Sequence, residues 1–380
     1  MRDLLVLNQS QSPAFQHMLE RAAGEARVRF ITGTPFATVR PETVVEVAPS
    51  YDRRSLARRA VSWAHYMLWT GARSLQLPGR PFVLAVTNPP ALPHLAWALS
   101  SLRGLDYGLL IWDIYPDHLV KVGFVSEASP LVRAWHAANR RALSRARFVV
   151  TLGDAMADAL STEAPDANLQ VIPNWADTEA IRPLPRADNP YAKRLRIGDE
   201  LVVMYSGNLG ATHGLAGLLG AAARLREDRR LRFLIIGEGL GRAAIEAAVA
   251  RDRLDNVTLM DPVPWEDLRY TLPLADVAIV SQAPGTEHLS VPSKTYSSLA
   301  AGSALLALTA RGTDLARLVA AHEVGTTCDR DDGGAIASLL ATWAGSRALG
   351  SLRTRSRQVA EREFSAESIT ERWRTLLQTS

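Results

Sequence analysis

Short apolar runs alternate with helical stretches along the whole chain, and this alternation limits the fold more than any other feature. The runs are rich in Val, Ile and Leu, as strands are when helices cover both faces of a parallel sheet. The first series of predicted strands comprises Leu4–Leu7, Val28–Ile31, Thr43–Val47, Val83–Val86, Gly108–Trp112, Phe148–Leu152 and Leu169–Ile172. The second comprises Leu201–Tyr205, Arg232–Ile236, Val257–Met260, Val277–Val280, Ala304–Leu308 and a weaker run near Gly325.

A segment rich in proline, aspartate and asparagine separates the two series, from Pro173 to Asp199, and such a composition is typical of an interdomain linker. A chain of 380 residues also fits two domains better than one core. We therefore predict an α/β protein with two Rossmann-like domains facing a cleft, over residues 1–175 and 176–361. The charged helical tail, over about 362–380, is expected to pack back on the first domain.

Composition excludes several classes of protein. The single cysteine, Cys328, rules out an internal disulfide and fits a reducing cytoplasm. The apolar N-terminus is too short for a signal peptide, and no run reaches the roughly 18 uncharged apolar residues of a spanning helix. Residues 51–150 hold 13 Lys and Arg against 5 Asp and Glu. This excess of positive charge fits either solvated arginine-rich helices or a surface that faces an anionic partner.

Two glycine loops follow neighbouring strands of the second series. The loop Ser206–Gly210 reads S-G-N-L-G, and the loop Gly237–Gly241 reads G-E-G-L-G, with Arg242 opening a helix after it. A strand, a glycine loop and a helix start together let backbone N–H groups approach phosphate oxygens closely. A tight turn between strand and helix also needs glycine, so each loop alone is open to that second interpretation.

The stretch Ser290–Gly302 reads S-V-P-S-K-T-Y-S-S-L-A-A-G and joins a predicted buried strand to a short helix. Its Ser293 and Lys294 have the composition of an anion site at a helix start. A further loop, Asp261–Trp265, follows another strand of the same series. All four loops are expected at one edge of a parallel sheet, so together they predict a cleft for a phosphate-bearing ligand.

Four motifs resemble those of family 4 glycosyltransferases, which have the GT-B fold. They are I-W-D-I-Y-P-D (Ile111–Asp117), V-I-P-N-W-A-D-T (Val171–Thr178), M-Y-S-G-N-L-G (Met204–Gly210) and V-P-S-K-T-Y-S-S-L-A-A-G (Val291–Gly302). The resemblance is strongest to bacterial members that build O-antigen, capsule or colanic-acid-type polysaccharide. It implies hexosyl or deoxyaminohexosyl transfer from a UDP- or GDP-type nucleotide diphospho-sugar, with retention at the anomeric carbon and with no metal or other cofactor.

The same resemblance implies that the donor binds the second domain and the acceptor binds the first. The donor-binding residues that it implies are Ser206, Gly207, Asn208, Gly210, His213, Gly237, Val263, Pro264, Ser293 and Ser297. Gly207, Asn208 and Gly210 would border the diphosphate, and the backbone of residues 261–264 would face the nucleobase.

The chain departs from the family pattern at two glutamates that are normally separated by seven residues. Leu289 and Ser297 stand in their places, and Glu287, two residues upstream of Leu289, is a candidate substitute. The histidines are scattered, and His118, just after Pro116-Asp117, is the one singled out as a possible functional residue.

A second departure concerns positive charge. Many relatives have an Arg after the loop glycine and a Lys before the next glycine, where this chain has Asn208 and His213. Breaking a glycosyl–phosphate bond leaves negative charge on the diphosphate, and positioned cations stabilise that charge as it develops. Lys294 and Arg242 are therefore the predicted cations of this site.

Asp113 lies at a strand end in the first domain. In retaining transfer the departing phosphate oxygen can accept the proton of the acceptor hydroxyl, so a protein base is dispensable. Asp113 is a candidate to orient or deprotonate the acceptor. A carboxylate at this place can also cap a helix or stabilise a turn, and the sequence leaves both interpretations open.

Basic and aromatic residues cluster on one helical stretch of the first domain. They are Arg53, Arg54, Arg58, Arg59, Arg73, Trp63, Tyr66 and Trp69, and a second basic group comprises Arg140, Arg141, Arg145 and Arg147. This pattern suits a helix that lies on an anionic membrane, and equally a core helix with a solvated arginine face. It favours a lipid-diphosphate-linked acceptor and a cytoplasmic protein bound peripherally to the inner face of the cell membrane.

These observations predict a metal-independent glycosyltransferase of lipopolysaccharide or exopolysaccharide synthesis. Its expected partners are a nucleotide-sugar donor, a glycan or lipid-linked glycan acceptor and an anionic membrane, with no nucleic acid. One alternative is a nucleotide-sugar epimerase on the same fold, which would need acid–base residues around the sugar. The other is a catalytically inactive sugar-nucleotide-binding partner subunit, which the missing glutamates favour.

Overall fold

A computed structural model describes residues 2–10, 13–52, 54–210 and 214–379. Two residues singled out in the sequence, Arg53 and His213, lie outside these described ranges. The chain divides into two compact units, of which the first runs to Pro173 and resumes at Ile369. The second unit comprises Asn174–Ser368.

The first unit is built on a seven-stranded parallel sheet with helices between its strands. Its strands are β1 (Leu4–Leu7), β2 (Val28–Thr32), β3 (Val44–Val47), β4 (Phe82–Val86), β5 (Tyr107–Leu110), β6 (Phe148–Thr151) and β7 (Leu169–Val171), in the order β3-β2-β1-β4-β5-β6-β7. Its helices are α1 (Pro13–Ala22), α2 (Leu56–Gln76), α3 (Leu92–Arg103), α4 (Asp117–Lys121), α5 (Pro130–Arg145) and α6 (Asp154–Glu163). The strands β1, β4, β5 and β6 are buried along their length, as expected for a sheet that is covered on both faces, whereas the edge strands β3 and β7 are partly exposed.

The second unit contains a six-stranded parallel sheet in the order β10-β9-β8-β11-β12-β13, the strand order of a Rossmann fold. Its strands are β8 (Leu201–Ser206), β9 (Leu231–Ile236), β10 (Val257–Met260), β11 (Val277–Ser281), β12 (Ala304–Leu308) and β13 (Gly325–Cys328). Its helices are α7 (Pro190–Leu195), α8 (Ala216–Arg224), α9 (Arg242–Arg251), α10 (Leu268–Thr271), α11 (Lys294–Ala300), α12 (Asp314–His322), α13 (Gly333–Trp343) and α14 (Ala348–Glu363). The α/β class with two Rossmann-like units is confirmed.

The last helix, α15 (Ala366–Gln378), returns the chain to the first unit. Trp373 is only 2% exposed, and its ring meets the edge of the Phe148 ring at 6.4 Å between centroids. Arg372 donates a hydrogen bond of 2.6 Å to the carbonyl oxygen of Val171. The C-terminal end of the chain therefore completes the core of the first unit.

The predicted linker Pro173–Asp199 is wrong over most of its length, because residues from Asn174 onward belong to the second unit. Asn189 is fully buried, caps α7 through hydrogen bonds from backbone N–H groups, and donates to the carbonyl of Tyr270. Proline-rich composition predicted an interdomain linker, whereas the segment packs into the second unit through buried residues such as Asn189. No helix within the described ranges is both long enough and apolar enough to span a membrane.

Candidate functional site

The four loops singled out in the sequence follow four strands that are adjacent in the second sheet, β10, β9, β8 and β11. Parallel strands run in one direction, so their carboxyl ends lie along one edge of the sheet. This edge is where open α/β folds bind ligands. The structure thus brings the loops Ser206–Gly210, Gly237–Gly241, Asp261–Trp265 and the segment before α11 to one edge.

The two glycine loops are joined backbone to backbone. The N–H of Gly207 donates to the carbonyl of Ile236 at 2.9 Å, and the N–H of Leu209 donates to Glu238 at 2.7 Å. Gly237 has a φ of +150°, and a Cβ at this position would lie 1.9 Å from the carbonyl oxygen of Gly207. Glycine is therefore required here both by the backbone conformation and by the close approach of the neighbouring loop.

Lys294, the first residue of α11, reaches the glycine loop from the neighbouring strand connection. Its Nζ lies 3.8 Å from the centroid of the Tyr205 ring, and a Cβ added to Gly207 would lie 2.9 Å from it. Nζ is buried and has no hydrogen-bond partner among the described residues. Burial lowers the pKa of Lys294 to about 7. An unpaired, buried amine beside a glycine loop is a favourable partner for an anion, because an anion would restore the interactions that burial removes.

The segment between β11 and α11 is held by a buried glutamine that the sequence analysis missed. Gln282 donates to the carbonyls of Glu287 and Ser290 at 3.3 and 3.1 Å, and it accepts a hydrogen bond of 2.9 Å from Thr309. Glu287, the candidate substitute for the missing glutamates, is itself buried. Its position directly after a buried strand was the sequence signal that could have identified Gln282.

The two serines predicted to bind the donor differ in their surroundings. Ser293 is exposed just before α11, and its side chain makes no capping hydrogen bond to that helix. The Ser297 hydroxyl donates to the carbonyl of Lys294 at 3.1 Å. Ser293 thus keeps its hydroxyl for another partner, whereas the Ser297 hydroxyl is bonded within its own helix.

The guanidinium of Arg242 connects two of the strand-end loops. It donates to the carbonyls of Gly237 and Met260 at 2.6 and 2.9 Å, and it pairs with Glu246 at 2.7 Å and with Asp261 at 3.1 Å. These contacts fix the loop after β9 against the end of β10. Of the two predicted cations, Lys294 is therefore the one whose charged group has no hydrogen-bond partner within the described chain.

A pocket of about 370 Å³ lies at the end of β10, and Val263 and Pro264 are among the residues that line it. Tyr191 and Arg194 of α7 line the same pocket, and the Arg194 guanidinium lies 4.1 Å from the centroid of the Tyr191 ring. The sequence analysis missed this pair because it assigned their segment to a linker. The Asn-Pro start of α7 was the available signal, since asparagine caps helices and proline favours their first position.

Other loop residues lie at the same edge. Asn208 is exposed, and its carbonyl oxygen accepts a hydrogen bond of 2.8 Å from the Tyr205 hydroxyl. Ser206 is half-buried at the end of β8. Gly210 lines an apolar pocket of about 380 Å³, of which Leu219 and Ile245 also form part.

The first unit holds a second cluster of polar residues, after the carboxyl end of β5. Burial raises the pKa of Asp113, although the nearby His118 acts to lower it. The rings of His118 and Tyr115 meet edge to face at 5.7 Å, and the His118 Nδ1 is buried without a hydrogen-bond partner in the described chain. Asp113 and His118, which were singled out separately, are therefore neighbours. Across the described ranges, no group of three or more His, Cys, Asp or Glu could hold a metal ion.

Helix α2 turns apolar side chains to the outside of the first unit. Val61, Leu68 and Leu75, spaced seven residues apart on one face, are 55%, 74% and 48% exposed. The opposite, buried face is largely polar and comprises Ser62, Tyr66, Thr70 and Ser74. The Tyr66 hydroxyl donates to the carbonyl of Ile31 at 2.5 Å. The outer face of α2 therefore carries apolar side chains as well as the exposed Arg58.

Several arginines of the predicted basic surface are paired with carboxylates. Arg54 and Arg58 both lie near Asp52, at 2.7 and 3.7 Å. Arg73 pairs with Glu46, and Arg147 pairs with Asp106. Arg59 lies over the Tyr51 ring. The remaining described members, which are exposed, are Arg140, Arg141 and Arg145. Pairing neutralises part of the predicted positive charge, and α5 carries the exposed remainder.

Residues 200–344 match the family model described as Glycosyl transferases group 1. The matched residues include the loops after β8, β9, β10 and β11. The two parallel-sheet α/β units have the architecture of GT-B glycosyltransferases. Sucrose-phosphate synthase from Thermosynechococcus elongatus has the same fold, with a TM-score of 0.78, 17% identity and full coverage of both chains.

Two curated bacterial proteins are similar in sequence. The probable glycosyltransferase WbjE of Pseudomonas aeruginosa is 28% identical over 259 residues, which cover 68% of this chain and 64% of WbjE. The putative colanic acid biosynthesis glycosyl transferase WcaI of Escherichia coli K12 is 27% identical over 283 residues, or 71% of this chain and 67% of WcaI. The match to WbjE thus spans less than two thirds of that protein's length.

Proposed function

We propose that this protein is a retaining glycosyltransferase of bacterial surface polysaccharide synthesis. It moves a hexosyl or deoxyaminohexosyl group from a UDP- or GDP-sugar to a lipid-diphosphate-linked saccharide, without a metal. The family match over residues 200–344 and the similarity to WbjE and WcaI support the class of reaction. The observation that carries the proposal is the unpaired, buried Lys294 amine beside the glycine loop.

In the proposed reaction the bond between the anomeric carbon and the diphosphate oxygen breaks, and the acceptor oxygen bonds to that carbon on the same face. The acceptor proton passes to the departing phosphate oxygen. Lys294, as the ammonium ion, donates hydrogen bonds to the diphosphate and stabilises the charge that develops on it. Backbone N–H groups of the glycine loop and the Ser293 hydroxyl would assist, and Val263 and Pro264 would border the base.

On the first unit, Asp113 and His118 are proposed to orient the acceptor hydroxyl. Burial favours the protonated, neutral form of Asp113, and a neutral carboxyl group can both donate and accept a hydrogen bond. This gives Asp113 a positioning role that does not require it to remove the proton.

The test is incubation of the protein with UDP-, GDP- and dTDP-sugars and a bacterial lipid extract, with free nucleotide diphosphate and labelled lipid followed together. We expect labelled lipid and free nucleotide diphosphate to appear in equal amounts. Tight donor binding without turnover on any acceptor would support an inactive partner subunit instead. Conversion of the donor without an acceptor would support an epimerase.

We further propose that the exposed face of α2 rests on an anionic membrane at the cytoplasmic side. The apolar residues Val61, Leu68 and Leu75 would enter the headgroup region. The exposed arginines of the same unit would attract anionic lipid. The protein would then bind a lipid-linked acceptor while the lipid part of that acceptor stays in the bilayer.

Replacing Val61 and Leu68 together by serine should lower binding to vesicles of phosphatidylglycerol and phosphatidylethanolamine by about tenfold, because two exposed apolar side chains no longer leave water. Co-sedimentation measures the bound fraction. Leu102→Ser is the matched control, since this leucine on α3 is 72% exposed but lies outside the α2 face. Equal binding of the double variant and the wild type would contradict the role of this face.

A further inference from the structure

One side chain contacts both the proposed cation and the glycine loop. Tyr205 is fully buried near the end of β8. The face of its ring lies 3.8 Å from the Lys294 Nζ, and its hydroxyl donates a hydrogen bond of 2.8 Å to the carbonyl oxygen of Asn208. The Tyr205 ring thus contacts Lys294 of α11, and the Tyr205 hydroxyl bonds to the loop after β8.

We propose that Tyr205 is the positioning residue of the donor site: its ring holds the Lys294 ammonium, and its hydroxyl fixes the loop that lies against the same lysine. This inference rests on the proposed function for the identity of the ligand, a nucleoside diphosphate. It goes beyond that function by assigning the position of the cation to a β8 residue that is not among the predicted donor-binding residues.

The physical argument begins with the unfavourable position of the lysine. A buried ammonium without a hydrogen-bond partner is strongly disfavoured, and the Tyr205 ring, whose centroid lies 3.8 Å from Nζ, stabilises its charge. Without the ring, the buried amine would lose this stabilisation of its charged form. The ring therefore favours a charged lysine beside the glycine loop before an anion binds.

The hydroxyl has a separate effect. A Cβ on Gly207 would lie 2.9 Å from the Lys294 Nζ, so small movements of this loop change the space around the amine. The bond from the Tyr205 hydroxyl to the Asn208 carbonyl restrains the loop one residue beyond Gly207. Ring and hydroxyl can be removed separately, and the two losses should have different consequences.

The lysine content of the chain makes the test direct, because Lys121, Lys193 and Lys294 are its only lysines. Lysine labelled with ¹³C at Cε gives one NMR signal per residue, and its shift against pH yields each pKa in the free protein. Lys121 and Lys193 are exposed and serve as internal references. UDP and GDP binding is measured by calorimetry on the same samples.

Tyr205→Leu should lower the Lys294 pKa by about one unit, since a cation–ring contact in a desolvated site is worth on the order of 1 to 2 kcal/mol. Tyr205→Phe should leave that pKa unchanged and weaken nucleoside diphosphate binding about fivefold, the effect of one hydrogen bond. Phe233→Leu, which removes another buried ring of the same core, should change neither.

If Tyr205→Leu does not fold, Tyr205→Met replaces it, because the flexible methionine fills space without a ring. An unchanged Lys294 pKa in the variant without the ring would overturn the proposal. The pKa readout needs no sugar transfer, so the positioning role can fail or succeed independently of the proposed reaction. Absence of binding by both UDP and GDP in the wild type would count against the proposed function alone.

Discussion

Replacing Lys294 by alanine should lower turnover by on the order of 100-fold, the effect of removing one preorganised donor to developing negative charge. The Lys294 Nζ lies beside the glycine loop and has no hydrogen-bond partner among the described residues. Turnover is measured as release of nucleotide diphosphate at saturating donor. Lys193→Ala removes an exposed lysine of α7 in the same unit and should leave turnover unchanged. Equal rates in the two variants would remove Lys294 from the mechanism.

The same variant separates function from stability. Burial lowers the Lys294 pKa to about 7, below its ordinary 10.5, so the unfolded chain binds more protons between these values. The wild-type free energy of unfolding should therefore rise with pH across this window, as the buried amine loses its charge. In Lys294→Ala this rise should be smaller, and the melting temperature near pH 7 should not fall. A marked fall in melting temperature would mean that lost activity reflects unfolding.

The second large effect is expected at Gly237. Alanine there should lower the free energy of unfolding of the second unit by about 4 kcal/mol and abolish donor binding, because strain and overpacking act together. The added Cβ would lie 1.9 Å from the carbonyl oxygen of Gly207, so the two glycine loops could not keep their contact. Urea denaturation and calorimetry with UDP and GDP measure the two effects.

Gly312→Ala is the matched control for this substitution. Gly312 also has a positive φ, of +80°, but a Cβ there meets no atom within 4 Å. Its replacement should cost about 1 kcal/mol, the strain of a left-handed conformation alone. If the two variants lost equal stability, the contact between the glycine loops would contribute nothing beyond backbone strain.

Much of the fold could be predicted because buried parallel strands have continuous apolar sequences. The weak run near Gly325 is a strand, and the helical tail does return to the first unit through α15. The order of strands within each sheet was not predicted, since a pattern of single strands carries no pairing information. The linker was misassigned because proline density reflects local backbone restriction and does not reveal whether a segment is packed, as at Asn189.

The candidate site was predictable to the extent that it follows strand ends. The four loops could be found from sequence order alone, whereas the contact of Lys294 with Tyr205 joins a helix and a strand that are far apart in the sequence. The outward direction of Leu68 could not be read either, because an amphipathic helix has the same periodicity whichever face is buried. The assignment of roles to Glu287 and Arg242 stays a prediction.

The return of α15 to the first unit has a consequence for the order in which the protein is made. The ribosome synthesises the strands of the first unit before any of the second, yet Trp373 of the first core is synthesised only after every strand of the second unit. Domains generally fold as they are synthesised. The second unit is continuous in sequence and can fold before α15 is synthesised, whereas the first unit, which is begun earlier, is completed only after it.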